Sequence, residues 1–297
     1  MLKKLPFNNP VLTASGTFGY GVEMSGVFDL SRLGGIVPKT VTLSPRTGNK
    51  PPRTFETASG LLNSIGLDND GIDDFIKFKL PYLQTTGAKI MVSVAVKSVD
   101  ECLIFGERLR VTSGIDAIEL NVSCPNVSGG VDFASDPKLC EKVVLAFRQV
   151  IETPLFVKLS PNFFNISEVA KGAEAGGADG ISAVNTCLGL AVDWRKRRPQ
   201  LGNGFGGLSG PAIKPIALRC VRQIFKAVKI PVIGIGGIAT IDDAMEFFVT
   251  GASAIQIGTA NFYNPATAIQ ILDDLPNALS KLNAKNITEI VGILEDV

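Results

Sequence analysis

Short apolar runs alternate along the chain with longer segments in which apolar residues return every three or four positions. The first kind of run is typical of strands buried on both faces, and the second of amphipathic helices packed against them. Eight apolar runs are predicted as strands, at residues 9–15, 35–40, 89–96, 117–123, 155–160, 180–186, 231–236 and 254–259. Strand–helix alternation over eight units predicts parallel pairing and closure into an α/β fold, a (β/α)8 TIM barrel of one domain over residues 1–297.

The helices between these strands carry recognisable start and stop signals. They are predicted at residues 70–86, 99–112, 136–151, 166–176, 212–228 and 241–250. Four of them begin near a capping side chain, namely Asp70, Asp136, Asn165 and Thr240. An open doubly wound sheet is the alternative architecture, but the first strand lacks the Gly-x-Gly-x-x-Gly turn of dinucleotide-binding folds.

Two connections, residues 42–69 and 188–210, are too long to be simple turns. Long loops after barrel strands usually form lids or walls of a site, and we expect the same here. The second connection contains a basic run at residues 195–198, which is interpreted as a solvated charged surface because exposed charge is ordinary.

The segment 117–130 joins an apolar strand to a polar, glycine-rich stretch that contains Asn121, Cys124 and Asn126. Residues at the carboxyl end of a barrel strand lie on the catalytic face. The chain has no histidine, so a general base near neutral pH must be another group, and Cys124 is the best-placed candidate. The alternative for Cys124 is a small buried apolar residue, which is how the other four cysteines, Cys102, Cys140, Cys187 and Cys220, are interpreted.

Two other strand ends carry lysines, and two carry glycine turns. Lys39 and Lys158 end apolar strands, where a lysine needs an anionic ligand or a carboxylate partner; Glu119 is the alternative partner. Gly236-Gly237 and Gly258-Thr259 present backbone N–H groups next to predicted helix starts, which suits a phosphate. Together these groups indicate a phosphorylated, anionic ligand.

Composition narrows the class of protein. The net charge is +1 without a basic tract, so neither nucleic acid nor an anionic membrane is indicated as a partner. Five scattered cysteines without a Cys-x-x-Cys pair suit a reducing compartment and give no metal or iron–sulfur site in this chain. The N-terminus has no signal-peptide core, and no apolar stretch is long enough to span a bilayer, so a cytoplasmic protein is expected.

Across residues 9–264 these motifs resemble the class I dihydroorotate dehydrogenases. The resemblance rests on Asn63-Ser-Ile-Gly-Leu-Asp-Asn69, Asn121-Val-Ser-Cys-Pro-Asn126 and Gly206-Gly-Leu-Ser-Gly-Pro-Ala212, together with residues 9–19, 39–40, 157–161, 184–186, 235–237 and 257–259. It implies an FMN-containing barrel that oxidises dihydroorotate to orotate in pyrimidine synthesis. Class II members have serine at the position of Cys124 and an added N-terminal membrane-contacting segment, so the chain resembles them less.

The segment after Cys124 is most similar to that of the NAD-linked class IB type. This similarity implies an electron-transfer partner subunit with FAD and a [2Fe–2S] cluster, and a homodimer of catalytic subunits within a heterotetramer. The fumarate-using class IA homodimer is the alternative within the family. Outside it, the candidates are a flavin-free lyase or isomerase that forms a Schiff base on Lys158 with a phosphorylated substrate, and a non-catalytic scaffold.

The resemblance also implies roles for individual residues. Cys124 would be the catalytic base. Substrate contacts are expected from Lys39, Asn63, Ser64, Ile65, Gly66, Leu67, Asn121, Asn126, Asn185 and Thr186. Cofactor contacts are expected from Ala14, Ser15, Gly16, Lys39, Thr40, Ser93, Asn121, Lys158, Val184, Gly210, Gly236, Gly237, Gly258 and Thr259. Ser93 and Cys187 depart from the family pattern, which has an asparagine and an apolar residue there.

Overall fold

A closed barrel of parallel strands forms the centre of the computed structural model, which describes residues 5–122 and 133–295. The strands are β1 (Val11–Thr13), β2 (Gly35–Ile36), β3 (Thr54–Thr57), β4 (Gly60–Asn63), β5 (Lys89–Val94), β6 (Ala117–Asn121), β7 (Leu155–Leu159), β8 (Gly180–Ala183), β9 (Cys187–Gly189), β10 (Val192–Asp193), β11 (Arg198–Pro199), β12 (Gly206–Ser209), β13 (Val232–Ile235) and β14 (Ala252–Ile257). Around the barrel their order is β1-β14-β13-β8-β7-β6-β5-β2. Each of the eight predicted strands is therefore confirmed as a barrel strand.

Several barrel strands are shorter than predicted because their last residues leave the ladder. The predicted strand 35–40 ends at Ile36, and the backbone N–H of Lys39 donates to the carbonyl of Gly19 at 3.1 Å. The predicted strand 180–186 likewise ends at Ala183. The apolar part of each run therefore predicted the strand correctly. The polar residues at the end of each run belong to the loops on the carboxyl face.

Helices cover the outside of the barrel. They are α1 (Ile72–Asp74), α2 (Leu80–Thr85), α3 (Val99–Arg110), α4 (Pro137–Arg148), α5 (Ile166–Ala175), α6 (Lys214–Ala227), α7 (Ile241–Thr250), α8 (Ala260–Tyr263) and α9 (Thr267–Lys281). A π-helical turn, Phe75–Lys79, separates α1 from α2, where Pro81 has no N–H to donate. The sequence did not predict α9, which contains Pro276.

Two of the four predicted helix caps are confirmed. The side chain of Asp136 accepts a hydrogen bond from the N–H of Lys138, and Thr240 forms a reciprocal capping box with Asp243. Asp70 was wrong as a cap, because α1 begins at Ile72 and its cap residue is Gly71. Asn165 precedes α5, but among the described residues its side chain does not cap the helix; its amide donates to the carbonyl of Ser135 at 3.4 Å.

Alternate residues of the barrel strands face the interior. The lower interior is apolar, and its members include Leu12, Met91, Ala117, Phe156, Ile233 and Ala254. Phe7 packs under this layer, with its ring centroid 5.8 Å from that of Phe156. One step higher, towards the carboxyl ends, the interior becomes polar, with Ser93, Glu119, Lys158, Ser182 and Gln256 all buried. The barrel is thus filled by apolar side chains at its amino end and carries its polar groups towards its carboxyl end.

The two long connections fold together into a second sheet. It is four-stranded and antiparallel, in the order β3-β4-β12-β9, so residues 54–63 pair with residues far away in the chain. The expectation that these connections form a wall of the site is supported by their place on the cavity described below, but their strands were not predicted. The basic run lies by the β10–β11 hairpin, where Arg195 stacks 4.3 Å from the Trp194 ring centroid.

Asp243 joins two helices next to the glycine turn after β13. Its carboxylate accepts hydrogen bonds from the N–H groups of Ala239 and Thr240 at 2.9 Å and from the Lys214 ammonium at 2.6 Å. Burial opposes ionisation, but the bonds from Lys214, Ala239 and Thr240 outweigh it and hold the pKa of Asp243 below its usual range. The carboxylate therefore clamps the start of α7 to the start of α6.

We expect Asp243→Asn to lower the free energy of unfolding by about 2 kcal/mol at neutral pH, since it removes a helix cap and charge-assisted hydrogen bonds. A depressed folded-state pKa stabilises the protein above the unfolded value of about 3.9, and this stability is lost as the pH falls through the folded value. Urea unfolding from neutral to acidic pH would therefore show the difference between the two proteins shrinking in acid. Asp242→Asn, one residue away, is the control, and an equal loss in both variants would contradict the assignment.

Candidate active site

A cavity of about 970 Å³ opens at the carboxyl ends of the barrel strands. This volume lies at the upper end of the range of roughly 300–1,000 Å³ that is usual for small-molecule sites. Its floor is formed by the ends of the barrel strands, and one wall by β4, β12 and the β3–β4 turn of the antiparallel sheet.

In the described part of the chain no helix is both long and apolar enough to cross a bilayer.

Most of the residues that the sequence singled out line this one cavity. Of the residues expected to contact a cofactor, the cavity is lined by Ala14, Ser15, Gly16, Lys39, Thr40, Asn121, Lys158, Val184, Gly210, Gly236, Gly237, Gly258 and Thr259. Those expected to contact substrate are Asn63, Ile65, Gly66, Leu67, Asn185 and Thr186, together with Lys39 and Asn121. Cys124 and Asn126 lie outside the described residues.

Two of the expected contact residues lie behind the cavity wall. Ser93 is fully buried, and its hydroxyl is 3.0 Å from that of Thr40, which does line the cavity. Ser64 is also buried, and its N–H donates to the carbonyl of Arg53 at 2.8 Å. Ser93 belongs to the buried polar layer inside the barrel, beneath Thr40. Ser64 alternates along its segment with Asn63 and Ile65, which occupy the wall.

Lys158 lies almost entirely below the cavity surface. Its ammonium group donates to the hydroxyl of Ser15 at 3.2 Å and lies 3.7 Å from a carboxylate oxygen of Glu119. The side chains of Lys158 and Glu119 are 6% and 0% exposed, respectively. Glu119, considered in the sequence as an alternative partner for a lysine, is thus a neighbour of Lys158. Lys158 also reaches the cavity, so the two interpretations are compatible.

Lys39 lies at the end of the segment that leaves β2 and is half-buried in the cavity wall. Burial lowers the pKa of its ammonium group, the nearby charge of Asp68 raises it, and that of Arg53 lowers it further. The net effect is a lysine that loses its proton more readily than an exposed one. An anion bound against Lys39 would stabilise the charged form.

Side-chain amides from the ends of β6 and β8, the strands on either side of β7, meet in the cavity. The Asn185 amide donates to the carbonyl oxygen of Asn121 at 3.5 Å, and the carbonyl oxygen of Asn185 accepts from the N–H of Thr186 at 2.7 Å. Asn162, which the sequence did not single out, donates to the backbone carbonyl of Thr186 at 3.1 Å. It follows the end of β7 by three residues, which places it in a loop on the carboxyl face of the barrel. These amides supply donors and acceptors for a planar polar ring.

Glycine turns let two backbone segments approach closely in the cavity wall. Gly237 has φ +76°, and a Cβ there would lie 2.8 Å from the Cβ of Lys214 and 2.9 Å from the carbonyl oxygen of Gly210. Gly210 itself has φ +92°. Only glycine fits this crossing without strain, and it leaves the backbone at the cavity wall.

Several cavity residues were missed in the sequence. One is Ser209, whose hydroxyl accepts a hydrogen bond from that of the expected contact Thr259 at 2.8 Å and so ties β12 to the turn after β14. Ser209 lies inside the glycine-rich motif at residues 206–212, so the motif itself was the available signal. Phe262 and Tyr263, both exposed on α8, border the same cavity and gave no pattern.

Comparison with known families agrees with this geometry. The family model described as "Dihydroorotate dehydrogenase" matches residues 1–279. The chain belongs to the dihydroorotate dehydrogenase family. A protein of Maridesulfovibrio salexigens named dihydroorotate dehydrogenase B (NAD(+)), catalytic subunit, is 48% identical over 296 residues, which cover 98% of this chain and 96% of that protein. A protein of the same name from Bacteroides thetaiotaomicron is 48% identical over 293 residues, covering 98% and 97%.

The barrel is also shared at low sequence similarity. The crystal structure of DHODH from Eimeria tenella in complex with ferulenol superposes with a TM-score of 0.81 at 22% identity, covering 97% of this chain and 85% of that one. This similarity shows the fold. Dihydroorotate dehydrogenases depend in general on a flavin, and the cavity has the parts that FMN requires: glycine turns that suit a phosphate, polar amides and two lysines.

Proposed function

We propose that this chain binds FMN in the cavity and oxidises (S)-dihydroorotate to orotate in de novo pyrimidine synthesis, with electrons passed to NAD⁺ through a partner subunit. The observation that carries the proposal is the convergence of Lys39, Lys158, Asn121 and Asn185 on one cavity that glycine turns also line. The names of the relatives that are 48% identical to this chain support the same reaction.

When bound, FMN would supply the hydride-accepting chemistry, and the chain would supply position, charge and a base. The amides of Asn63, Asn121 and Asn185 would hydrogen-bond the polar edges of the pyrimidine ring. Lys39 would bind the substrate carboxylate, and Cys124 would remove the proton at C5. A site built to satisfy several polar groups rejects analogues that lack them.

The partner follows from the words "catalytic subunit" in the names of the relatives. We propose that the partner is an electron-transfer subunit with FAD and a [2Fe–2S] cluster, and that two catalytic subunits pair within a heterotetramer in the cytoplasm. The chain alone would then take up electrons from dihydroorotate without delivering them to NAD⁺. Rapid turnover of the isolated chain with fumarate would instead indicate the class IA type.

The direct test is to add FMN to flavin-free protein, remove oxygen and add dihydroorotate. We expect a yellow complex whose visible absorbance bleaches with substrate, and no bleaching with a dihydropyrimidine that lacks the carboxylate. A protein that stays colourless, and whose lysine is trapped by borohydride with a sugar phosphate, would contradict the proposal and favour the Schiff-base mechanism. A yellow protein that dihydroorotate does not bleach would reject the substrate.

Orotate binding should depend on pH through Lys39. Because burial lowers its pKa, the ammonium charge is lost at a lower pH than in a free lysine, whose pKa is about 10.4. The affinity for the orotate anion should therefore fall towards tenfold per pH unit above that lowered pKa. Lys39→Arg, which keeps its charge at these pH values, should flatten the profile.

Fluorescence titration with orotate from pH 6 to 10 measures this dependence. The titrations should be made in the Cys124→Ser background, so that ionisation of that thiol does not contribute. An unchanged profile in Lys39→Arg would show that another group titrates.

A further inference from the structure

We propose that Glu119 is a positioning residue of the flavin site, whose buried carboxylate restrains the Lys158 ammonium and lowers the reduction potential of the bound flavin. This inference rests on the proposed function, because it assumes that FMN occupies the cavity that Lys158 lines. Glu119 itself does not line the cavity in the described part of the chain; it lies one layer below, inside the barrel. Glu119 would therefore act on the flavin from inside the barrel, through Lys158, and not by direct contact.

The hydrogen bonding of Glu119 fits a charged carboxylate. One oxygen accepts from the side-chain amide of Gln256 at 2.8 Å, and the other lies 3.7 Å from the Lys158 ammonium. Gln256 donates its amide N–H and Lys158 presents an ammonium, and both suit an ionised carboxylate. Glu119 and Gln256 are both 0% exposed, and such groups are found buried only when they are paired.

The distance between the Lys158 ammonium and the Glu119 carboxylate is too long for a hydrogen bond. A charge-assisted hydrogen bond between an ammonium and a carboxylate is usually about 2.7–2.9 Å long, and this contact is 3.7 Å. The Lys158 ammonium donates to Ser15 instead, on the cavity wall. Lys158 is thus held between a buried anion and the ligand cavity, with capacity for further hydrogen bonds.

This arrangement has a direct electrostatic consequence. A lysine facing the flavin favours its reduced, more negative form, and a carboxylate behind the lysine cancels part of that effect. Glu119 also restrains the ammonium from moving further into the cavity. Both effects lower the potential, which suits a flavin whose electrons continue to an acceptor of low potential such as NAD⁺.

The experiment compares the wild type with Glu119→Gln and Glu119→Asp, each loaded with FMN. Bound flavin is titrated anaerobically with dithionite against a reference dye, so that no step depends on substrate. We expect Glu119→Gln to raise the ratio of reduced to oxidised flavin about tenfold at a fixed poise, which corresponds to about +30 mV for a two-electron couple. Glu119→Asp keeps the charge but draws it back, and should lie between the two.

Ser182→Ala is the matched control. Ser182 is a buried neutral residue of the same barrel interior, and its hydroxyl has no hydrogen-bond partner in the described residues. Its removal should leave the potential unchanged. A purely structural role for Glu119 would change the melting temperature in Glu119→Gln without moving the potential, and that result, or a lower potential, overturns the inference.

The outcomes also separate this inference from the proposed reaction. If the potential rises in Glu119→Gln but dihydroorotate does not bleach the wild type, the proposed substrate is wrong and the inference stands. If the wild type reacts with dihydroorotate but the potentials are equal, only the inference is wrong. A wild-type chain that takes up no FMN overturns both.

Discussion

Replacing Cys124 by alanine is expected to leave FMN bound and to slow flavin reduction by dihydroorotate by at least about a hundredfold, the lower end for loss of a general base. Cys124 lies outside the described residues, and the argument comes from its place in the chain. It follows β6 by three residues, and Asn121 at the end of β6 lines the cavity. With no histidine in the sequence, few groups there can accept a proton.

The other cysteines do not compete for this role. Burial raises the pKa of both Cys102 and Cys140 to about 12, so neither forms a thiolate near neutral pH. Cys187 is half-buried, and burial raises its pKa as well. It is not among the described residues that line the cavity. Cys187→Ala is therefore the control.

Stopped-flow absorbance measures the reductive rate in both cysteine variants. In the wild type it should rise with pH towards the ordinary thiol pKa of about 8.5. A normal rate in Cys124→Ala, or a similar loss in Cys187→Ala, would contradict the assignment of the base.

Lys158→Met is expected to lower both the free energy of unfolding and the retention of FMN, and no other single variant should lower both as much. The substitution nearly preserves volume but leaves the Glu119 carboxylate buried with Gln256 as its remaining described donor. Removing one partner of a buried ion pair typically costs about 3–5 kcal/mol, because the other charge stays desolvated. Loss of the ammonium also removes a cation from the cavity, so FMN should be lost on dialysis under conditions in which the wild type keeps it.

The double variant Lys158→Met with Glu119→Gln separates these two effects. Urea unfolding should show that most of the lost stability returns, since the uncompensated charge has been removed. Cofactor retention should not return, because the ammonium is still missing. Equal instability of the single and double variants would show that the two charges are not coupled, and full FMN retention in Lys158→Met would remove Lys158 from the cofactor site.

The barrel was predictable because its strands are buried on both faces and its helices on one. That difference leaves a continuous apolar run in the first case and a helical period in the second. The antiparallel wall was not predictable in this way. Its strand β12 is Gly-Gly-Leu-Ser and pairs with Gly60–Asn63 across about 150 residues, so no local pattern marks it. Helix α9 was missed because Pro276 interrupts a pattern that tertiary packing nevertheless holds.

The part of the cavity that is formed by polar residues at the ends of apolar strands was predictable. Lys39, Asn121 and Lys158 are polar residues that close apolar runs, and all three line the cavity. Ser93 and Ser64 were expected on the cavity by resemblance, but Ser93 lies in the buried layer inside the barrel and side-chain alternation turns Ser64 away from the cavity. Glu119 was noted as a possible partner of a lysine, but which lysine it meets depends on the register between β6 and β7, which the sequence does not contain.

Barrel closure has a consequence for how the chain is made. Strand β1 pairs with β14, so the first strand to leave the ribosome waits for the last, roughly 240 residues later. At synthesis rates of about 5–20 residues per second this delay is on the order of ten to fifty seconds. During that time the growing polypeptide exposes an unpaired strand edge, and its protection from aggregation falls to chaperones or to neighbouring parts of the same nascent chain.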